Sequence, residues 1–180
     1  MDEYIDILNE EGVPTGKTCL KSEAHKKGFY HASAHIWIFD KDKNVLIQKR
    51  AANKDTFPNL WDISVAGHIS AGEQPLTSAL REVEEEIGMV LLKEQLHFIG
   101  TSKKTVQHHA NFIDNELHYI YVCEVTFNVN SLKIQKEEVA ALKSIHLNNL
   151  IEKVTTKDFV PRTDNYYPFV FEHIKNYNNK

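Results

Sequence analysis

The feature that most constrains this chain is one amphipathic helix, predicted within residues 67–90. Pro75 suits the first turn of a helix, where its missing N–H is not needed, and Gly88 suits the left-handed residue that ends one. Between them, apolar side chains recur at the spacing that places them on one buried face. Three glutamates spaced three and four residues apart gather on the opposite face, and these are Glu82, Glu85 and Glu86.

These glutamates occupy an unfavourable place. They stand in the last turn, where the negative end of the helix dipole opposes further negative charge. Like charges at this spacing add a repulsion of about a few tenths of a kcal/mol. A run of charge is ordinarily a solvated helix face, but carboxylates crowded at this end favour a cationic partner. A hard divalent ion bound through carboxylate oxygens is the simplest one.

The same stretch resembles the Nudix box, whose pattern is GX5EX7REUXEEXGU with U an aliphatic residue. All its fixed positions are filled, by Gly67, Glu73, Arg81, Glu82, Val83, Glu85, Glu86, Gly88 and Met89. The resemblance implies an enzyme that uses Mg²⁺ or Mn²⁺ to hydrolyse a diphosphate linkage joined to some other group, X. It also implies an α/β (α+β) fold, an αβα sandwich with a mixed central sheet, in which the box forms a loop, a helix and a loop.

The resemblance assigns roles within the box. Glu73 and Arg81 are implied to pair and to fix the loop against the helix. The implied metal ligands are the carboxylates of Glu82, Glu85 and Glu86 and the main-chain carbonyl near Gly67.

Composition places the chain among ordinary globular proteins. Its 180 residues predict a single domain over 1–180, with the box at 67–89 and residues 1–30 packing on the domain as an N-terminal extension. A net charge of −4 without a basic run predicts no nucleic-acid partner, and the short apolar stretches predict no membrane span. The acidic N-terminus does not resemble a secretory leader, and only two cysteines are present, so we expect a cytoplasmic protein.

The remaining pattern predicts a mixed α/β arrangement without repeats. We expect an N-terminal hairpin, a short helix over 21–28, and a C-terminal helix over 168–177 after irregular residues 161–167. The 50–60 segment is predicted as a loop and 108–115 as a polar connection. Strands are predicted at 32–39, 45–49, 61–65, 96–106, 116–127 and 141–147, with a further helix from about 148 to 154.

A second resemblance covers roughly residues 1–125 and is to the isopentenyl diphosphate isomerase-like branch of the Nudix superfamily. It rests on HASAHIWIFD and LIQKRAANKDTFPNLWDISVAGH, which precede the box. It implies a second metal site at His25, His31, His68, Asp114 and Glu116, with Glu86 shared. It also implies that Arg50 and Lys54 hold the diphosphate.

The chain departs from the isomerases at one position. They need a cysteine directly before the Gly-His pair to move a proton on the substrate carbon, and this chain has Ala66 there. A methyl group cannot transfer a proton, so isomerase activity is disfavoured. The isomerases also carry a degenerate box, whereas the box of this chain has its full set of hydrolytic residues.

The histidines and aromatics have plainer interpretations beside the functional ones. His25, His31 and His68 are either metal ligands or walls of the site, since imidazole suits Mn²⁺ better than Mg²⁺. Phe57, on the loop beside the box, is a candidate substrate contact. The histidines that we expect to be ordinary surface or hydrogen-bonded residues are His35, His97, His109, His118 and His146.

Catalysis of this kind needs charge neutralisation, an aligned water and a carboxylate that accepts the proton. Glu82 is one candidate base and Glu138, before the last strand, is another. Three functions stay open: a diphosphate hydrolase, which we favour, an isomerase, and a non-catalytic ligand-sensing module. The substrate is expected to be a small diphosphate whose X group no spacing rule identifies, and the resemblance is compatible with a homodimer.

Overall fold

The computed structural model describes residues 2–163 and 165–177. Its strands are β1 Tyr4–Leu8, β2 Pro14–Leu20, β3 His31–Phe39, β4 Asn44–Arg50, β5 Trp61–Asp62, β6 Val65–His68, β7 His97–His109, β8 Phe112–Glu124 and β9 Val139–His146. Its α-helices are α1 Lys21–Lys27, α2 Pro75–Ile87, α3 Leu147–Lys153 and α4 Tyr166–Lys175. Short 3₁₀ turns occur at Lys93–Gln95 and Val129–Ser131. No helix in these described residues has the length and apolar character that crossing a membrane requires.

The N-terminal residues form a small antiparallel sheet of β1 and β2, followed by α1. The helix ends at Gly28, whose φ of 65° is the left-handed conformation that glycine adopts without strain. Single backbone bridges join Leu8 to Tyr30 and Ile5 to Ser70. The second bridge brings β1 against the loop that precedes the box helix.

The larger sheet has seven strands and both parallel and antiparallel pairs. Strand β3 runs parallel to β8 along its whole length, from His31 opposite Glu116 to Phe39 opposite Glu124. On its other edge β3 pairs with β4 only at Phe39, and β6 takes the places opposite Ser33 to Ile36. The sheet therefore opens between β4 and β6, and the site described below lies at this opening.

Alternating side chains of β3 produce two hydrophobic layers. Trp37 and Phe39 pack with α3 and α4 on one face, whereas Ile36 and Ile38 pack with α2 on the other. Helices thus cover both faces of a mixed sheet, which confirms the predicted αβα sandwich.

Three predicted elements differ from the structure. The strand expected over 61–65 is two short strands, β5 and β6, that pair with β4 and β3 respectively. The polar connection expected over 108–115 is wrong, because β7 and β8 continue as a hairpin to the pair His109 and Phe112. Cross-strand pairing and aromatic contacts there outweigh the polarity of the local sequence.

The C-terminal helix begins at Tyr166, inside the stretch that we expected to be irregular. Tyr166 and Tyr167 are buried in the same layer as Trp37. Their packing against the sheet extends the helix by two residues beyond the predicted start at residue 168.

Candidate active site

A cavity of about 670 Å³ opens where β4 and β6 diverge. Its walls come from α1, from loop 50–60, from the last turns of α2 and from the tip of the β7–β8 hairpin. Among the predicted site residues, His31 and Glu73 are absent from the lining, because His31 is fully buried and Glu73 faces Arg81. The other predicted residues line it, and they are His25, Arg50, Lys54, Phe57, Gly67, His68, Arg81, Glu82, Glu85, Glu86, Asp114, Glu116 and Glu138.

Gly67 has a steric reason to be glycine. The carboxylate of Glu82 lies directly over its Cα, so that a Cβ added at residue 67 would clash with both carboxylate oxygens. Strand β6 and helix α2 therefore approach as closely as backbone and side chain allow. The contact places the carboxylate of Glu82 against the backbone of β6 at Gly67.

Two of the three box glutamates are buried. Glu82 and Glu86 are 9% and 4% exposed, whereas Glu85 is exposed on the same helix. Burial raises the pKa of Glu82 to about 7 and that of Glu86 to about 8, and the charge of Glu82 adds to the effect on Glu86. Burial thus opposes the ionisation of both carboxyls, and a divalent ion in contact with them would favour the ionised form.

Arg81 is the cation that contacts the box in this structure. Its Nη2 lies 3.1 Å from Glu73, so the structure forms the pair that the sequence predicts. Its Nη1 also lies 2.7 Å from Glu82 and 3.0 Å from Glu85. One guanidinium therefore bridges the loop carboxylate and two of the predicted metal ligands.

A second group of ligands lies on the other face of the sheet. The ligand atoms of His25, His31, His68 and Glu116 are all within 4.8 Å of one another. Nε2 of His31 and Nε2 of His68 lie 3.6 and 3.2 Å from Oε1 of Glu116, and both nitrogens are buried without a well-aligned hydrogen bond. Within residues 2–163 and 165–177 the three box glutamates do not form a comparable group, and Arg81 contacts two of them.

The arrangement of this histidine group suits metal binding. Nδ1 of His31 donates to the carbonyl oxygen of Phe29 over 2.9 Å, which directs Nε2 toward Glu116. Although burial opposes it, the contact with Glu116 raises the pKa of His31. Burial, with the nearby His68 and His31, lowers the pKa of His25 to about 3. A donor set of three imidazoles and one carboxylate fits a divalent transition metal.

Asp114, which the isomerase resemblance also assigns to the second metal site, lies outside the close histidine group in the structure. Its Oδ2 is 2.7 Å from Nζ of Lys104 and 3.5 Å from Nε2 of His108. Glu86 is likewise apart, since its carboxylate accepts a hydrogen bond of 3.0 Å from Gln48.

The basic side of the cavity is formed by loop 50–60. Arg50 is bonded to Asp62 at 3.2 Å and to the carbonyl of Thr56 at 3.1 Å, so it also holds the loop. Lys54 forms an ion pair with Glu138, the second candidate base. The two predicted roles, phosphate binding and proton acceptance, therefore meet in one contact.

Phe57 lies on this loop with a φ of 49°, a conformation that non-glycine residues rarely adopt. The centroid of its ring lies 5.3 Å from that of His108, and Nζ of Lys104 lies over the ring, 5.5 Å from its centroid. The loop thus reaches across the cavity mouth to the hairpin on the opposite wall.

Sequence reasoning missed a set of buried polar residues at the inner end of the cavity. His35 and His118, expected to be ordinary, stack at 3.9 Å. Nδ1 of His118 lies 2.8 Å from Ser33 and Nδ1 of His35 lies 2.8 Å from the hydroxyl of Tyr166. Only the alternation along β3, which places residues 33 and 35 on one face with 31, could have indicated their neighbours.

His35, His118 and Glu116 also bring ligand atoms together. This group is the poorer metal candidate, because the guanidinium of Arg162 stands 3.4 Å from Nε2 of His35. Both nitrogens of His35 then have partners, and a cation is already present.

The NUDIX domain family matches residues 29–168. Nudix hydrolase 3 of Arabidopsis thaliana is 38% identical over 148 residues, which are 80% of this chain and 19% of that protein. Isopentenyl-diphosphate Delta-isomerase 2 of Photorhabdus laumondii is 34% identical over 122 residues, which are 67% of this chain and 64% of that protein. The chain thus spans less than two thirds of either relative.

A solved structure shares the fold. The crystal structure of DR0079 from Deinococcus radiodurans superposes with a TM-score of 0.67, covering 96% of this chain and 98% of that one. The sequences are 14% identical, so this likeness concerns the arrangement of strands and helices alone.

Proposed function

The chain belongs to the NUDIX family, and on that premise we propose that it hydrolyses the phosphoanhydride bond of a nucleoside diphosphate or other organic diphosphate with Mg²⁺ or Mn²⁺. The observation that carries the proposal is the meeting of two charge types in one cavity. Buried carboxyls of Glu82 and Glu86 lie on one wall, and Arg50 and Lys54 lie on another. A metal-bound diphosphate satisfies both.

The metal would be held by Glu82, Glu85 and Glu86 with a carbonyl of Gly67, and a second ion would be held by the histidine group with Glu116. Bound there, a divalent ion supplies neutralisation of phosphate charge and a lowered pKa for water. Arg50 and Lys54 orient the phosphate oxygens, which leaves the attacked phosphorus in line with a water. With Glu82 and Glu85 on the metal, Arg81 would retain its ion pair with Glu73 on the loop.

The reaction consumes one water. The water oxygen bonds to one phosphorus, the bridging P–O bond breaks, and the bridging oxygen leaves on the other phosphate. A proton from the water goes to a carboxylate. Glu82, whose pKa burial raises to about 7, and Glu138 remain the two candidates for this base.

Hydrolysis of a panel of diphosphates tests the proposal. The panel contains nucleoside diphosphates, dinucleotide polyphosphates, nucleotide sugars, CoA and isoprenoid diphosphates, each with Mg²⁺ and with Mn²⁺. We expect metal-dependent turnover that Glu86→Gln abolishes and that Glu84→Gln, an exposed position on the same helix, retains. Undiminished turnover by Glu86→Gln, or binding without turnover of every compound, contradicts the proposal, and the second result favours a ligand-sensing module.

The histidine group and the likeness to an isomerase favour isopentenyl diphosphate isomerisation as a second candidate. Ala66 opposes it, because this residue faces His35 where a thiol would be needed. Cys123 is buried in the opposite layer, where burial raises its pKa to about 12, and Cys19 lies in the small N-terminal cluster. We expect no dimethylallyl diphosphate from isopentenyl diphosphate, and its formation at the rate of hydrolysis would reverse the ranking.

We further propose that residues 1–180 act as one domain, with residues 1–30 serving as a wall of the site. The contacts of α1 support this arrangement, because His25 lines the cavity and belongs to the histidine group. In limited proteolysis with and without Mn²⁺, residues 1–30 should resist cleavage to the same extent as the rest of the chain.

A further inference from the structure

The inner end of the cavity is polar and buried. We call it the inner chamber and define it by Ser33, His35, Asp62, Ala66 and Arg162, all of which line the cavity. Ser33, His35 and Asp62 are at most 3% exposed. Ala66 stands opposite His35 in the pairing of β6 with β3 and directly precedes Gly67. A substrate with its diphosphate at the box therefore has the inner chamber as a neighbouring space.

Arg162 is held rigidly in this chamber. Its Nη2 donates to Oδ1 of Asp62 over 2.6 Å, and its guanidinium covers the ring of Tyr166 at 5.2 Å. Its side chain is 6% exposed, and among residues 2–163 and 165–177 its Nε has no hydrogen-bond partner. Nη1 lies 3.4 Å from Nε2 of His35, and the guanidinium also interacts with the side chain of Tyr167. The guanidinium is thus oriented mainly by its pair with Asp62, and its Nε keeps unused capacity to donate.

The other chamber residues complement this donor. His35 stays neutral, because burial and the neighbouring His118 and Arg162 hold its pKa well below its usual value. Asp62 has its oxygens occupied by Arg162, Arg50 and the N–H of Ile63. The free hydrogen-bonding capacity of the chamber is therefore mainly that of donors.

A ligand group that enters this space meets those donors at close quarters. An alkyl chain would cover the guanidinium without accepting a hydrogen bond, which leaves a buried donor unsatisfied. An oxygen or ring nitrogen would accept from it and gain the energy of a charge-assisted bond. Sites built to bond a polar group discriminate strongly against analogues that lack it.

We propose that Arg162 is a specificity-determining residue, which donates to acceptor atoms of X and selects a polar X, such as a nucleoside, over an alkyl chain. The inference rests on the proposed diphosphate hydrolysis and names the class of X. Asp62 acts through Arg162 as a positioning residue.

Competition between two diphosphate esters tests the inference. With Mn²⁺, kcat/KM is measured for uridine diphosphate and for isopentenyl diphosphate on the full chain. We expect the wild type to prefer the uridine ester by roughly 100-fold or more, as for other sites that bond a polar group. Arg162→Leu should reduce the ratio at least about tenfold through KM, whereas Lys157→Leu, an exposed cation on the preceding segment, should not.

A purely structural role for Arg162 would lower both kcat/KM values equally and leave the ratio unchanged, which would overturn the inference. A wild-type preference for the isopentenyl ester would also overturn it. Arg162→Leu removes one of the two arginines that are bonded to Asp62, so the single variant can fail to fold. In that case the ratio is measured on the double variant Asp62→Asn with Arg162→Leu, which removes both charges of the pair.

Hydrolysis of methyl diphosphate, the minimal ester, distinguishes a failure of this inference from a failure of the proposed function. If no ester is hydrolysed, including this minimal one, the hydrolase proposal fails. Calorimetric binding of the methylene-bridged analogues of the two esters then still measures the preference of the chamber, and equal affinities would refute the role of Arg162.

Discussion

Replacing Glu86 with glutamine should stabilise the metal-free protein while removing its activity. Glu86 is 4% exposed, and Gln48 donates to its carboxylate over 3.0 Å. Burial, with the charges of Glu82 and Glu138, raises its pKa from 4.5 to about 8. At neutral pH the folded protein therefore keeps this carboxyl protonated, whereas the unfolded chain ionises it.

The magnitude follows from these two pKa values. The stability associated with the protonated carboxyl is fully present below pH 4.5 and is lost as the pH rises through about 8. Since one pKa unit corresponds to about 1.4 kcal/mol, the loss is less than about 1 kcal/mol at pH 5 and about 3 kcal/mol at pH 7. Glutamine does not titrate, so Glu86→Gln should increase the free energy of unfolding by these amounts.

Urea unfolding in a metal chelator, followed by the fluorescence of Trp37 and Trp61, measures this difference at pH 5 and pH 7. Glu84→Gln, on the exposed side of the same helix, controls for the loss of one charge. Mn²⁺ should then stabilise the wild type more than Glu86→Gln, because an ion that binds only the folded state shifts the equilibrium. Identical pH dependence in the wild type and Glu86→Gln, or a less stable variant at pH 7, would refute the reasoning.

Three further changes probe the site and its helix. Gly67→Ala should reduce metal-dependent turnover by roughly 100-fold, because the added methyl displaces Glu82; a rate close to wild type would remove the steric argument. His68→Gln should weaken Mn²⁺ binding, measured by calorimetry, by roughly tenfold or more, while His97→Gln, on an exposed edge, should leave it unchanged. Equal effects of the two substitutions would show that the histidine group does not bind the metal. Gly88→Ala should lower the free energy of unfolding by about 1 kcal/mol, because its φ is 66° and a Cβ would crowd Lys133, and an unchanged urea midpoint would contradict this.

The parts of the fold that could be predicted are those with strong local periodicity. The box helix was predicted over 75–88 and is found at Pro75–Ile87, because its proline, its apolar stripe and its terminal glycine agree. The two central strands, predicted at 32–39 and 45–49, lie at His31–Phe39 and Asn44–Arg50. The hairpin tip was missed, since the pairing of His109 with Phe112 depends on a partner strand rather than on local composition.

The candidate site divides in the same way. Glu73 and Arg81 were paired correctly from the resemblance, because both belong to one short motif. The additional contacts of Arg81 with Glu82 and Glu85 were not foreseen, although the i, i+4 spacing of Arg81 and Glu85 permits the second of them. The isomerase resemblance assigned Asp114 to the metal group together with Glu116. In the structure Asp114 forms an ion pair with Lys104, a contact that depends on the pairing of β7 with β8 rather than on local sequence.

By itself, then, the sequence determined a helix with glutamates crowded at its negative end and the family pattern that explains them, since both depend on spacing within a few turns. The tertiary structure alone decided which distant charges meet. Asp62 and Arg162 are 2.6 Å apart in space across 100 positions of sequence. Lys104 and Asp114 meet through the register of a hairpin that local polarity concealed. Such pairs form because sheet pairing and burial bring them together, and no local pattern encodes that distance.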